Sequence, residues 1–305
     1  RTLTMNQELI ICLSAAAILC TIRLQAKKAE RPNIVFIMSD DHAYQAISAY
    51  GYGLNSTPNI DRLAKEGAIF NRCFVANSIC APSRATMLTG KFTHMNGKID
   101  NIEVFDWNQP NVAKILQKNG YQTALIGKIH IEGNPQGFDY WNVLPGQGQY
   151  YNPEFIENGV QRKYTGYCTK ITTDLALDWL TNKRDKNKPF LLLYHHKAPH
   201  RTWMPEEKYF DLFNDKTFTP PSNFFDDYNG RPAAAAQEMS ISKDMDLAYD
   251  LKMLDEQGDI KTNYRGSAQN MYDRMDPVQK AMWDKHYKPI IEDFKARHLT
   301  GKELS

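Results

Sequence analysis

The sequence predicts an α/β fold of the doubly wound kind, a mostly parallel central sheet flanked by helices, and three observations carry that prediction. Asn33-Ile34-Val35-Phe36-Ile37-Met38 is an unbroken, β-branched apolar run, the pattern of a central strand covered on both faces. Similar runs follow at Tyr121 to Gly127 and Phe190 to His195, and helical patterns separate them, which is the βα rhythm of a parallel sheet. With 305 residues, 42% hydrophobic and 11% aromatic, the chain can bury the core that such a sheet requires.

The elements follow in order. Leu9 to Leu19 is an apolar stretch bounded by Glu8 and Arg23, too short to span a bilayer and of the right length for a signal-peptide core, with Ala26 a tolerable cleavage position. Residues 1–26 are therefore expected to be a signal peptide of an exported protein, with no stable membrane insertion, although Glu8 and the lack of a Lys or Arg after Met5 make a poor n-region. Past the first strand, Thr57-Pro58 supplies an N-cap and first-turn proline for a helix that turns Ile60, Leu63 and Ala64 inward and stops at Gly67. Gln109-Pro110 opens another, with Val112, Ile115 and Leu116 inward and Gly120 as stop. Thr172-Thr173-Asp174 begins a third, carrying Leu175, Ala176, Trp179 and Leu180. From about Pro205 the text turns Pro-, Asp-, Asn- and Lys-rich, and residues 205–305 read as surface-exposed insertion loops and helices near the mouth of a site. Asp276-Pro277 caps a last helix containing Trp283, Ile290, Ile291 and Phe294, which Pro289 should kink or interrupt.

The formal net charge of +2, with no long basic run, points to neither nucleic acid nor an anionic membrane surface as partner. Cys73, Cys80 and Cys168 have no metal-type spacing and declare no disulfide framework.

Two places carry chemistry. The first strand ends in Ser39-Asp40-Asp41-His42, at the carboxyl end where open α/β sheets bind ligands. Adjacent carboxylates repel unless a cation intervenes, and Ca²⁺ takes several hard oxygens, so Asp40 and Asp41 are candidate metal ligands; an acidic turn or helix cap is the plainer alternative. The second place is Cys80-Ala81-Pro82-Ser83-Arg84, continuing to Leu88-Thr89-Gly90. Pro82 suits a first helical turn and Gly90 a stop, so a short helix would begin at Cys80 and direct its N–H groups and dipole toward an anionic ester. Arg84, four residues on, shares that helix face and can hold oxyanions. Taken alone, Cys80 would be a small buried hydrophobe and Arg84 a solvated charge.

The second stretch matches C-x-P-S-R-x-x-x-L-T-G at every fixed position, and the chain resembles the type I, formylglycine-dependent sulfatases of the alkaline-phosphatase-like superfamily. The resemblance is sharp from about Arg31 to His200, and makes residues 31–305 the N-terminal portion of a sulfatase catalytic domain. It implies that a formylglycine-generating maturation enzyme oxidises Cys80 to formylglycine, whose hydrated aldehyde is the nucleophile. It implies Asp40, Asp41 and the position of Cys80 as ligands of Ca²⁺. Gly127-Lys128-Ile129-His130 resembles the family's G-K-W-H block with Ile in place of Trp, and Pro199-His200 its later histidine. By that resemblance Lys128 binds the sulfate, His130 contacts the formylglycine diol and is the base of its second step, and His200 is the general acid toward the leaving oxygen; His195 and His196 read as structural.

The family's second metal pair, Asp followed by Asn or His and Gly, then a further lysine, has no convincing copy. Asp100-Asn101 comes too early, and Asp227-Tyr228-Asn229-Gly230 has the wrong spacing. A C-terminally incomplete sheet that holds calcium weakly is the expectation. His94-Met95-Asn96-Gly97, the run from Leu144 to Pro153 and His196 to His200 also resemble bacterial N-acetylglucosamine-6-sulfatases, which implies a sulfated carbohydrate, a 6-O-sulfated amino sugar in a glycan, as substrate. Three alternatives stay open: a phosphatase or phosphodiesterase of the same superfamily with a Thr or Ser nucleophile, a non-catalytic sulfated-glycan-binding protein, and a chain that folds poorly on an incomplete sheet.

Overall fold

A computed structural model describes residues 31–304. The expected signal peptide lies outside them. Among the described residues no helix is long and apolar enough to cross a membrane.

Six strands form one mixed sheet: β1 (Ile34–Met38), β2 (Gln122–Lys128), β3 (Tyr140–Leu144), β4 (Glu154–Glu157), β5 (Val160–Lys163) and β6 (Phe190–His195), in the order β1-β6-β2-β3-β4-β5. The β1–β6, β6–β2 and β2–β3 pairs are parallel, and β3–β4 and β4–β5 are antiparallel. Period-two alternation explains why β2 and β6 sit in the middle. Leu125, Leu191 and Leu193 enter one core with Ala81, Ala85 and Leu88, whereas Ala124, Ile126 and Leu192 enter another with Ala176 and Trp179. Leu125, Ile126 and Leu192 are at most 1% exposed; complete burial of such a side chain contributes roughly 1.5–3 kcal/mol.

Four helices matter for the site. They are α1 (Pro58–Glu66), α2 (Cys80–Thr89), α3 (Val112–Lys118) and α4 (Cys168–Asp178), the last running on into a π-turn at Trp179–Lys183. Gly90 ends α2 at φ 67°, as its position in the sequence predicts. Helix α3 starts two residues later than expected, because the Asn111 side chain accepts from Lys114 N and caps it. Ala113 is buried and Val112 and Leu116 pack against the core as expected, while Ile115 points outward, contrary to expectation. Helix α4 begins at Cys168, four residues before the expected Thr172, since the Cys168 N–H pairs with the Tyr150 carbonyl.

Two expectations about coverage fail. Among the described residues strand β1 is an edge rather than a central strand, and Val35, Phe36 and Ile37 are 47%, 40% and 56% exposed. An apolar run fixes what a strand can tolerate, not what neighbours it. Helix α1 likewise has no buried residue, with Ile60 and Leu63 exposed.

Past His200 the chain is irregular, and residues 211–241 are largely exposed. Asp246, Ala248, Asp250 and Lys252 are buried in alternation, so this part is less superficial than its composition predicts. Two longer helices follow, α5 (Arg265–Asp273) and α6 (Pro277–Arg297), and a single turn at Gly301–Leu304. Asp276 closes a capping box with Gln279, and Trp283 and Ile291 are buried as expected, while Ile290 is exposed. Pro289 sits inside α6 and does not interrupt it.

Candidate active site

The carboxyl ends of β1, β6 and β2 lie side by side, with Met38 and Gly127 both in register with His195. The chain emerging from each strand therefore delivers its side chains to one place: Asp40 and Asp41 after β1, Lys128 and His130 at the end of β2, and His200 after β6. Helix α2 points its first turn at the same spot. A cavity of about 430 Å³ there is lined by Asp40, Asp41, Cys80, Arg84 and His200.

Lys128 depends on the glycine before it. Gly127 has φ 101°, and a Cβ there would stand 1.8 Å from the carbonyl oxygen of His195 on β6. Only glycine lets the two strands pair while the next residue turns its side chain into the site. Lys128 is fully buried and ion-paired with Asp40 Oδ2, and Arg84 Nη2 approaches the same oxygen at 3.5 Å. Burial alone would raise the Asp40 pKa, but Arg84 and Lys128 outweigh it and hold the carboxyl below its ordinary value. Burial lowers the Lys128 pKa against the opposing pull of Asp40.

At the other end of the cluster, Cys80 Sγ stands 2.9 Å from His130 Nδ1. Burial first, then the cations Lys128 and Arg84, keep the His130 pKa below 6.5, so its ring is neutral and basic at neutral pH. The His200 pKa is lowered too, by burial foremost. Its Nδ1 donates to the Arg201 carbonyl at 2.6 Å, which leaves Nε2 for a ligand. His195, read from the sequence as structural, is 2% exposed behind Arg84, 3.3 Å from Arg84 Nη1; burial pushes its pKa down to about 3. His196 donates its backbone N–H to Met38 and holds β1.

Every residue expected at the site is thus brought to it. Two more belong there that sequence reasoning missed. Gln147 accepts from Lys128 Nζ through Oε1 and reaches Cys80 Sγ with Nε2 at 3.9 Å. Asn101, set aside above as too early for a metal pair, accepts from Ala81 N–H at 3.2 Å and from Cys80 Sγ at 3.4 Å through Oδ1, capping the start of α2. Gln147 lies in the Leu144 to Pro153 run that carries the resemblance, but neither that run nor any periodicity assigns it or Asn101 to Cys80.

A divalent cation fits this donor set only in part. Asp40 and Asp41 bring two carboxylates to one cavity, yet among the described residues no group of three or more His, Cys, Asp or Glu side chains forms a metal cluster. Calcium takes six to eight oxygens.

The family profile described as Sulfatase matches residues 32–277. The chain belongs to the sulfatase family. It is 44% identical to an N-acetylglucosamine-6-O-sulfatase of Bacteroides thetaiotaomicron over 97% of this chain and 53% of that one. An N-acetylglucosamine-6-sulfatase of Capra hircus is 28% identical over 66% of this chain and 39% of its own length. Among solved structures, that of BT4656 in complex with its substrate D-glucosamine-2-N,6-O-disulfate superposes with a TM-score of 0.85 at 46% identity, covering 90% of this chain and 56% of that one. The fold is therefore the sulfatase α/β fold, of the alkaline-phosphatase-like kind expected. This sulfatase chain spans 53% and 39% of the length of these two curated relatives.

Proposed function

We propose that the protein hydrolyses sulfate esters of a glycan, with 6-O-sulfated N-acetylglucosamine as the favoured substrate, through a formylglycine made from Cys80. The observation that carries this reading is the position of Cys80: it opens α2, 2.9 Å from His130 Nδ1, and lines one cavity with Arg84 and His200. The similarity to two N-acetylglucosamine-6-sulfatases supports the amino sugar.

A formylglycine at this position supplies a hydrated aldehyde, one hydroxyl to attack sulfur and a second through which sulfate leaves. The remaining work falls to the chain's own residues. Lys128 and Arg84 neutralise the sulfate oxygens, and because they are held rigid by Asp40 they do so without reorganisation. His130, neutral and adjacent, accepts a proton from the side chain at position 80. His200 offers Nε2 to the oxygen of the departing alcohol and protonates it. Asp40, Asp41 and the side-chain oxygen at position 80 are proposed ligands of a calcium ion, with further oxygens required beyond these. A formylglycine-generating enzyme is the implied maturation partner, and export is the implied destination.

Mass spectrometry of the peptide containing Cys80, from protein recovered from its native host, tests the reading. A mass matching formylglycine supports it, and Cys80→Ala in the complete gene product should then abolish sulfate release. An intact thiol with undiminished hydrolysis would overturn it.

A further inference from the structure

The side chain at position 80 has more polar neighbours than the steps above use. His130 Nδ1 stands 2.9 Å from Cys80 Sγ, and Asn101 Oδ1 stands 3.4 Å from the same sulfur. Chemistry fixes which end of the Asn101 amide this is. The same atom receives the Ala81 N–H at 3.2 Å, and a backbone N–H can only donate, so the amide oxygen faces position 80. Gln147 presents the opposite end: its Oε1 accepts from Lys128 Nζ, which leaves Nε2, a donor, 3.9 Å from Sγ. Position 80 therefore meets two acceptors and one donor.

Asn101 lies on an exposed loop, yet that loop is braced. Asp100 Oδ1 accepts from the backbone N–H groups of Ile102 and Glu103, at 2.7 and 2.8 Å, and closes the turn. Lys98, fully buried, donates to the Glu103 carbonyl and to Glu132 Oε2, the latter at 2.8 Å. Glu132 follows His130 by two residues, so one ion pair ties the loop of Asn101 to the segment of His130. The two acceptors are thereby set relative to each other as well as to α2.

A thiol has one proton and needs one acceptor. A hydrated aldehyde on the same Cβ has two hydroxyls, and each needs an acceptor of its own. We propose that Asn101 supplies the second: His130 Nδ1 takes one hydroxyl of the diol and Asn101 Oδ1 holds the other, so the two acceptors together orient the nucleophile and favour the hydrated aldehyde over the free one. The inference rests on the formylglycine reading of Cys80. An amide oxygen is no base near neutral pH, so Asn101 fixes a hydroxyl without deprotonating it, and the proton leaves toward His130 alone. The free aldehyde, R–CHO, has no donor for either acceptor. Adding water gives R–CH(OH)2, whose two O–H groups satisfy both, and each hydrogen bond draws the equilibrium toward the diol.

The test uses the matured complete gene product and two readouts, with the converted chains counted by mass spectrometry. One is the rate of oxime formation with methoxyamine, which captures the aldehyde and not the diol. The other is turnover of N-acetylglucosamine 6-O-sulfate. Asn101→Leu, similar in volume and lacking an acceptor, should form the oxime roughly 3–10-fold faster than wild type. Its kcat per converted chain should fall roughly 10–100-fold with KM little changed, because Asn101 touches the nucleophile and not the ester. Asn101→Asp keeps an oxygen at the same reach and should restore most of both. Ile102→Ser, on the same loop at 85% exposure, should match wild type in both. Asn101→Ala repeats the measurement should the leucine variant fold poorly. A wild-type oxime rate in both Asn101→Leu and Asn101→Ala overturns the proposal, as does an Asn101→Asp variant no better than Asn101→Leu, or an effect confined to KM. The oxime rate decides the matter even if that sugar is not turned over. If position 80 of the wild type is a thiol, the formylglycine reading itself fails and the role of Asn101 falls with it.

Discussion

Lys128 and Asp40 show how much one buried pair can decide. The lysine side chain is fully buried and the aspartate is 10% exposed, so neither charge has water to fall back on. Lys128→Met should cost about 3–5 kcal/mol in urea denaturation, because it strands the Asp40 carboxylate with Arg84 alone. The sign with pH follows from the lowered Asp40 pKa: the wild type's advantage is complete above about pH 4 and shrinks as acid protonates the carboxyl. A gap that persisted undiminished in strong acid would contradict this. For His200, lowered from 6.5 mainly by burial, the proposed acid form becomes scarce as pH rises toward neutrality. The kcat/KM of the complete gene product should therefore decline along that limb, and His200→Gln should flatten it in a pH–rate profile. The motif residues Cys80, Arg84, Lys128 and His130 were legible because their spacing is local. Gln147 and Asn101 were not, since each meets Cys80 from 67 and 21 residues away.

At the scale of elements, glycine and caps decide more than propensity. Gly127→Ala should lower stability by about 2–4 kcal/mol, because the new methyl group has to displace the β6 backbone at His195, and it should cost activity by moving Lys128. Thermal melting beside sulfate release reads both effects, and a variant as stable as wild type would refute the close-approach argument. Asp276→Ala, removing a capping box far from the chemistry, should cost only about 1 kcal/mol. Strands β2 and β6 and helix α2 were readable from apolar runs and punctuation. The starts of α3 and α4 were not, because Asn111 and the Tyr150 carbonyl won the competition for the capping groups. Pro289 was expected to kink or interrupt a helix that runs on without interruption past it, with Trp283 and Ile291 buried.

At the scale of the molecule, the β1 edge is the most exposed apolar part of the sheet among the described residues. Among the described residues Val35, Phe36 and Ile37 are exposed on β1, which pairs only with β6, and Ile60 and Leu63 are exposed on α1. The 305-residue chain by itself should self-associate, and Val35→Lys should reduce that association in sedimentation velocity; no change would point to another surface. By itself the sequence determined the class of fold, the strands whose ends converge on one cavity and the motif residues around Cys80, because periodicity and motif spacing are local properties of the chain. Only the tertiary structure decided that β1 lies at an edge among the described residues and that Gln147 and Asn101 reach Cys80. Each of these depends on contacts between distant segments, whose geometry is set by packing rather than by any neighbour in sequence.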